Sequence, residues 1–170
     1  STNKKSLTPE SMILLNVAIP EHKHPTLADC LDDFYKTETL EGETAWYNDE
    51  TKQKETAHKK YIVWSFPKIL IIILKRFNNN NRKDKRLVSC PLESLNLSKY
   101  VVGYLKRSYQ YDLYGVCNHS GGTLGGHYTA TIKNKGVWYH YNDTDVQKIS
   151  EAKVISSKAY CLFYKKKNIK

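Results

Sequence analysis

Read for hydrophobic and polar spacing, the chain divides into short apolar runs separated by polar stretches. "SMILLNVAIP" (residues 11–20) predicts a buried strand closed by Pro20. Leu27, Cys30, Leu31 and Phe34 follow the i, i+3, i+4, i+7 spacing of one helical face. Thr26 suits an N-cap, and Asp29 three residues on comes close to a capping box. Residues 37–60 are polar and short of aliphatics, which predicts an extended, solvated hairpin projecting from the body. "KKYIVWSFP" and "KILIIILKRF" are rich in β-branched residues and read as strands. "NNNNRKDKR" (78–86) has no apolar residue and reads as a loop, and "RLVSCP" as a short strand. In "YQYDLYGVCN" the alternation puts Tyr109, Tyr111, Leu113, Gly115 and Cys117 on one face. "GHYTATIKN" and "VWYHYND" predict paired strands joined by 134–136, "SEAKVIS" a short helix, and "AYCLFYKK" a closing strand. With no repeat and no long linker, residues 1–170 form one α+β domain with a mostly antiparallel sheet.

Composition narrows the class. A chain of 170 residues that is 40% hydrophobic and 12% aromatic has a real core, which excludes wholesale disorder. The formal charge of +10 fits nucleic acid, acidic membranes or an acidic protein surface without choosing among them. Four cysteines without a CxxC pair are no secreted disulfide framework. Reduced thiols predict a cytoplasmic or nuclear location. The longest apolar run, Ile69 to Leu74, is too short to span a bilayer, and the polar start is no signal peptide, so no membrane partner is expected.

One stretch, "SGGTLGGHYTA", gathers half of the eight glycines of the chain just before His127. Such crowding needs unusual dihedrals or a close approach by another chain. A histidine at a strand end beside such a loop suits a general base; an exposed loop histidine is the plain alternative. Asn142 and Asp143 follow fifteen and sixteen residues later, so a hairpin places them beside His127, where an amide or carboxylate fixes an imidazole. The plain alternative is that both begin a turn. Cys30, Cys90, Cys117 and Cys161 all read as structural.

Tyr111, Leu113, Gly115, Val116, His119, Gly121, Gly126, His127 and Tyr128 match, in order and spacing, the histidine-box signature of the ubiquitin-specific proteases. "TLADCLDDFYKTETLEGE" resembles that family's helix ahead of the fingers, "YIVWSFPKILIIILKRF" its W-x-x-P-P-x-L strands with Lys68 at the second proline, and "VWYHYNDTDV" and "SSKAYCLFYKK" its closing boxes. The resemblance covers roughly 11–166. It implies the palm and fingers of a papain-like cysteine protease fold, with 37–60 as the fingers. It implies that His127 is the general base of a thiol protease, Asn142 the third triad member and Asp143 its acidic neighbour. It also makes Asn118, His119, Gly121, Gly122, Gly125, Gly126 and Tyr128 the mobile loop over the tail of ubiquitin, with 78–86 as the other such loop.

Two features depart from the pattern. The family's cysteine box and the thumb subdomain that carries it are absent, so this chain alone is expected to be inactive, its partner being a thumb segment that supplies the nucleophile. Where relatives place a zinc-binding CxxC, the chain has Asn48 and Thr51, which predicts no zinc, no other cofactor, and fingers held by packing around Trp46 and Tyr47. The implied function is deubiquitination, hydrolysis after the last glycine of ubiquitin, with ubiquitin or ubiquitinated proteins as partners. The alternative is a non-catalytic ubiquitin-binding or scaffolding module. Nucleic-acid binding ranks last, because the basic residues are scattered.

Overall fold

The computed structural model describes residues 5–103 and 109–167. Residues 1–4, the first part of the polar start, lie outside the described residues. In the described residues the frame is one sheet running β1(Leu15–Ala18), β6(Ile69–Lys75), β12(Ala159–Lys166), β8(Gln110–Gly121), β9(Gly126–Asn134), β10(Val137–Asn142), β11(Asp145–Ile149), with β7(Leu95–Asn96) beside β8. The β1–β6 pair is parallel and the other pairs in this sheet are antiparallel. The sheet agrees with the predicted α+β class.

The helix α1(Leu27–Phe34) forms as its spacing predicts. Thr26 Oγ1 accepts from the Asp29 amide at 3.2 Å, and Asp29 Oδ2 accepts from the Thr26 amide at 2.8 Å. This capping box satisfies amides that a free helix end leaves orphaned. Leu27, Cys30 and Leu31 enter one buried cluster with Val17, Ile72, Leu74, Leu113, Val116 and Leu162.

Arg76, the arginine of "LKRF", is 1% exposed. Its Nε donates to Ala159 O at 2.5 Å, and Nη1 to Asp84 O and Arg86 O at 3.0 and 2.9 Å. One guanidinium thereby ties β6 to the start of β12 and to the basic loop, which no spacing rule foretells.

Several sequence expectations are corrected. "KKYIVWSFP" is no strand: residues 60–68 run irregularly, with a single parallel bridge from Val63 to Val101. "RLVSCP" contributes only the bridge from Ser89 to Thr26, and "SEAKVIS" only a 3-10 turn at Glu151–Lys153. The alternation along β8 breaks because β12 pairs Phe163 with Gly115 and then Tyr164 with Leu113, skipping Tyr114. This bulge keeps Tyr111, Leu113 and Val116 buried together. The projection at 37–60 is two small ladders, β2(Glu38–Leu40) with β5(Ala57–Lys59) and β3(Trp46–Asn48) with β4(Gln53–Glu55), rather than one hairpin.

Candidate active site

His127 is the second residue of β9 and Asn142 the last of β10. The turn between them has two residues, Lys135 and Gly136, both at positive φ (46° and 82°), the form that suits a tight hairpin. Tyr141 pairs with Ala130, so Asn142 falls opposite Thr129, two residues from His127 on the same face. There His127 Nε2 lies 2.6 Å from Asn142 Oδ1. An amide oxygen only accepts, so this contact calls for a proton on Nε2, and in the neutral ring Nδ1 then keeps the lone pair. Both residues are exposed. Asp143 sits one residue further, in the Asp143–Thr144 turn at φ 50°, and makes no hydrogen bond or ion pair among the described residues.

The glycine stretch is mostly strand. Ser120 pairs with His127 and Gly121 with Gly126, so Asn118–Gly121 belong to β8 and only 122–125 form the connection. This corrects the expectation of one mobile loop from 118 to 126. A side chain at Gly121 (φ 107°) would meet Gly125 O at 2.6 Å, and one at Gly126 would meet His119 Nε2 at 2.2 Å. The hairpin's own packing therefore requires these two glycines, whereas Gly122 and Gly125 face open space. Asn118 is buried under β9, its Nδ2 donating to Thr131 Oγ1 at 3.4 Å. His119 is 5% exposed and its ring lies 4.7 Å from that of Tyr128 and 5.8 Å from those of Phe77 and Tyr160. A cleft of about 420 Å³ opens between Phe77, His119, Tyr128 and residues 122–126. A larger cleft, about 690 Å³, lies between residues 6–15 and 60–67 and holds none of the candidate catalytic residues.

No thiol of the chain accompanies His127. Cys117 pairs with Ala130, three positions along β8 from Ser120, and so points to the opposite face. Burial pushes the Cys30 and Cys161 thiols up to about 11 and Cys90 up to about 12, and it raises Cys117. Such groups stay protonated at neutral pH, the opposite of an activated nucleophile.

The finger positions implied for zinc do not fit it. Asn48 Nδ2 and Thr51 Oγ1 both donate to Glu55 Oε1, at 2.8 and 2.7 Å. Asn48 Oδ1 accepts from the Glu50 amide at 3.0 Å. An amide and a hydroxyl spent on one carboxylate offer no thiolate or imidazole to zinc. Trp46 and Tyr47 are 45% and 50% exposed, so this polar clasp, and not packing by those rings, closes the β3–β4 hairpin.

Spacing and motifs do not single out Phe77, Lys83, Glu55 or Tyr160, although Phe77 and Tyr160 stand in the quoted family boxes and Lys83 in the 78–86 loop.

Known proteins give this geometry a context. Residues 36–164 match the family described as ubiquitin carboxyl-terminal hydrolase. Ubiquitin carboxyl-terminal hydrolase 4 of Pongo abelii is 41% identical over 157 residues, covering 88% of this chain and 16% of that protein. Ubiquitin carboxyl-terminal hydrolase 15 of Homo sapiens is 38% identical over 154 residues, with the same coverage of 88% and 16%. Among solved structures, the SAGA Ubp8/Sgf11/Sus1/Sgf73 DUB module bound to ubiquitin aldehyde superposes with a TM-score of 0.77 at 29% identity, over 94% of this chain and 37% of the matched one. The chain thus spans a small part of its relatives, and no helix among its described residues is long and apolar enough to cross a membrane. The matched residues and the fold agree: the chain belongs to the ubiquitin carboxyl-terminal hydrolase family.

Proposed function

We propose that this chain is the palm and fingers of a cysteine-type deubiquitinase, with the nucleophilic cysteine supplied by residues outside these 170. The observation that carries the reading is the 2.6 Å contact between His127 Nε2 and Asn142 Oδ1. It leaves Nδ1 as the basic nitrogen. In the reaction, Nδ1 takes the thiol proton, and the thiolate attacks the carbonyl carbon of ubiquitin's terminal glycine. The protonated ring then hands its proton to the leaving amine as the acyl-enzyme forms. Water, losing a proton to Nδ1, hydrolyses the thioester and restores the thiol. Asp143, in the adjoining turn, acts on this pair only through its charge. The cleft beside His119 and Tyr128 takes the tail of ubiquitin, and Gly122 and Gly125 add no side chains to its wall.

The test is cleavage of ubiquitin carrying a fluorogenic amide at its C-terminus, by the complete protein and its His127→Ala variant. Turnover that His127→Ala abolishes supports the reading. A complete protein without turnover contradicts it.

One observation favours a second reading, a non-catalytic ubiquitin-binding module: all four thiols of this chain are held protonated by burial. Under it, ubiquitin affinity survives His127→Ala and turnover is absent. Either reading places the protein in the cytoplasm or nucleus, where conjugated ubiquitin is found.

A further inference from the structure

The basic loop 78–86 and the glycine hairpin are joined by one side chain. The loop is folded on itself: the Asn78 amide donates to Arg82 O at 3.1 Å, and Asn78 Oδ1 accepts from the Asn80 and Arg82 amides at 3.1 and 2.9 Å. A bridge between Phe77 and Lys83 closes its base. Lys83 is thereby presented to β8. Its Nζ lies 2.5 Å from His119 O and 2.9 Å from His119 Nδ1, and 5.7 Å from the centre of the Phe77 ring.

The His119 carbonyl needs this partner. The His119 amide donates across to Lys158 O at 2.9 Å, and N–H and C=O of one strand residue point to the same side. On that side β12 pairs no further than Asn118, so the ladder offers the carbonyl nothing. An ammonium from another loop fills the vacancy. The ring is fixed as well, since Gly126 has no Cβ to strike Nε2 and Tyr128 and Tyr160 flank it.

We propose that Lys83 is a positioning residue whose ammonium clamps the basic loop to the glycine hairpin through His119 and so sets the gap between Phe77 and residues 122–126, the two walls of the cleft.

The clamp works only while Nδ1 holds a lone pair. Burial, then the nearby Lys83, hold the His119 pKa below its ordinary value. Burial and the charges of Arg76, Lys85 and Lys158 do the same for Lys83. Around the ring stand the Lys83 ammonium and the rings of Phe77, Tyr128 and Tyr160, while Lys158 meets His119 through its backbone carbonyl. A proton on Nδ1 would face an ammonium at hydrogen-bond distance, so acid opens the clamp and widens the cleft.

The test uses the complete protein with labelled histidine, comparing native, Lys83→Met and Lys83→Arg forms by histidine NMR titration and by hydrogen exchange over 118–128. In the native form, exchange at the Gly122 amide, bonded to Gly125 O at 3.0 Å, quickens as His119 takes up its proton. In Lys83→Met the His119 midpoint moves up, and exchange across 122–126 quickens about tenfold, the scale of one charge-assisted hydrogen bond. Lys83→Arg recovers most of the protection. An unchanged His119 midpoint with unchanged exchange in Lys83→Met overturns the proposal. Should Lys83→Met not fold, native exchange that ignores His119 protonation overturns it equally. The measurement needs no ubiquitin, so its failure is distinct from failure of the proposed function.

Discussion

His127 and Asn142 are fifteen residues apart in sequence and 2.6 Å apart in space, because a two-residue turn folds β10 back along β9. The contact fixes the imidazole tautomer. Asn142→Ala removes the acceptor and frees the ring to take the other tautomer or rotate away. Under the proposed function, kcat of the complete protein falls by about a hundredfold or more, the range of a positioned general base, while ubiquitin affinity is unchanged. Asn142→Asp keeps an acceptor and retains most of the rate. Cleavage kinetics with binding measured in parallel separate the two effects.

Arg76 provides a stability test. Its three donated bonds go to carbonyls on β12 and the basic loop. Arg76→Met leaves them without that partner and costs about 1–3 kcal/mol for each carbonyl that stays buried and unpaired. Arg76→Lys reaches fewer of them and loses somewhat less. Urea unfolding followed by the fluorescence of buried Trp138 reads both.

The same residue shows how far the sequence was legible. The helix, β6, β12 and the β9–β10 hairpin follow from spacing, capping and turn chemistry, all local. Residues 60–68 had the β-branched content of a strand but found only the Val63–Val101 bridge, since strand propensity yields to the available partners. The bulge at Tyr114 depends on how β12 pairs, which a single strand's alternation does not record. At the site, His127 and Asn142 were legible because one hairpin brings them together. Lys83 and His119 lie 36 positions apart and meet across loops whose path local rules do not set.

The fingers supply a further prediction. The Asn48–Glu55–Thr51 clasp needs no metal. A chelator leaves the melting temperature and the tryptic pattern of the 48–55 hairpin unchanged. Asn48→Ala, which strips the carboxylate of one bond, speeds tryptic cleavage after Lys52 and Lys54 and costs about 1–2 kcal/mol. Destabilisation by the chelator would show that metal holds this hairpin after all.

His119 gives stability a pH dependence with a definite sign. Its folded pKa is depressed, so between the unfolded value, about 6.5, and the lower folded value the unfolded chain binds more protons. Its contribution is complete above that unfolded value and is lost as pH falls toward the folded one. His119→Gln, which removes the titration, flattens the slope of stability against pH below about 6.5. Paired urea titrations at several pH values measure the difference.

Covalent capture tests directly whether His127 serves a thiol outside this chain. The complete protein is treated with ubiquitin bearing a thiol-reactive group at its C-terminus, and the adduct is located by peptide mass spectrometry. The expected adduct is on a cysteine outside these 170 residues, formed by the native protein and strongly slowed in His127→Ala. An adduct on Cys117, or one that forms equally fast without His127, would contradict it.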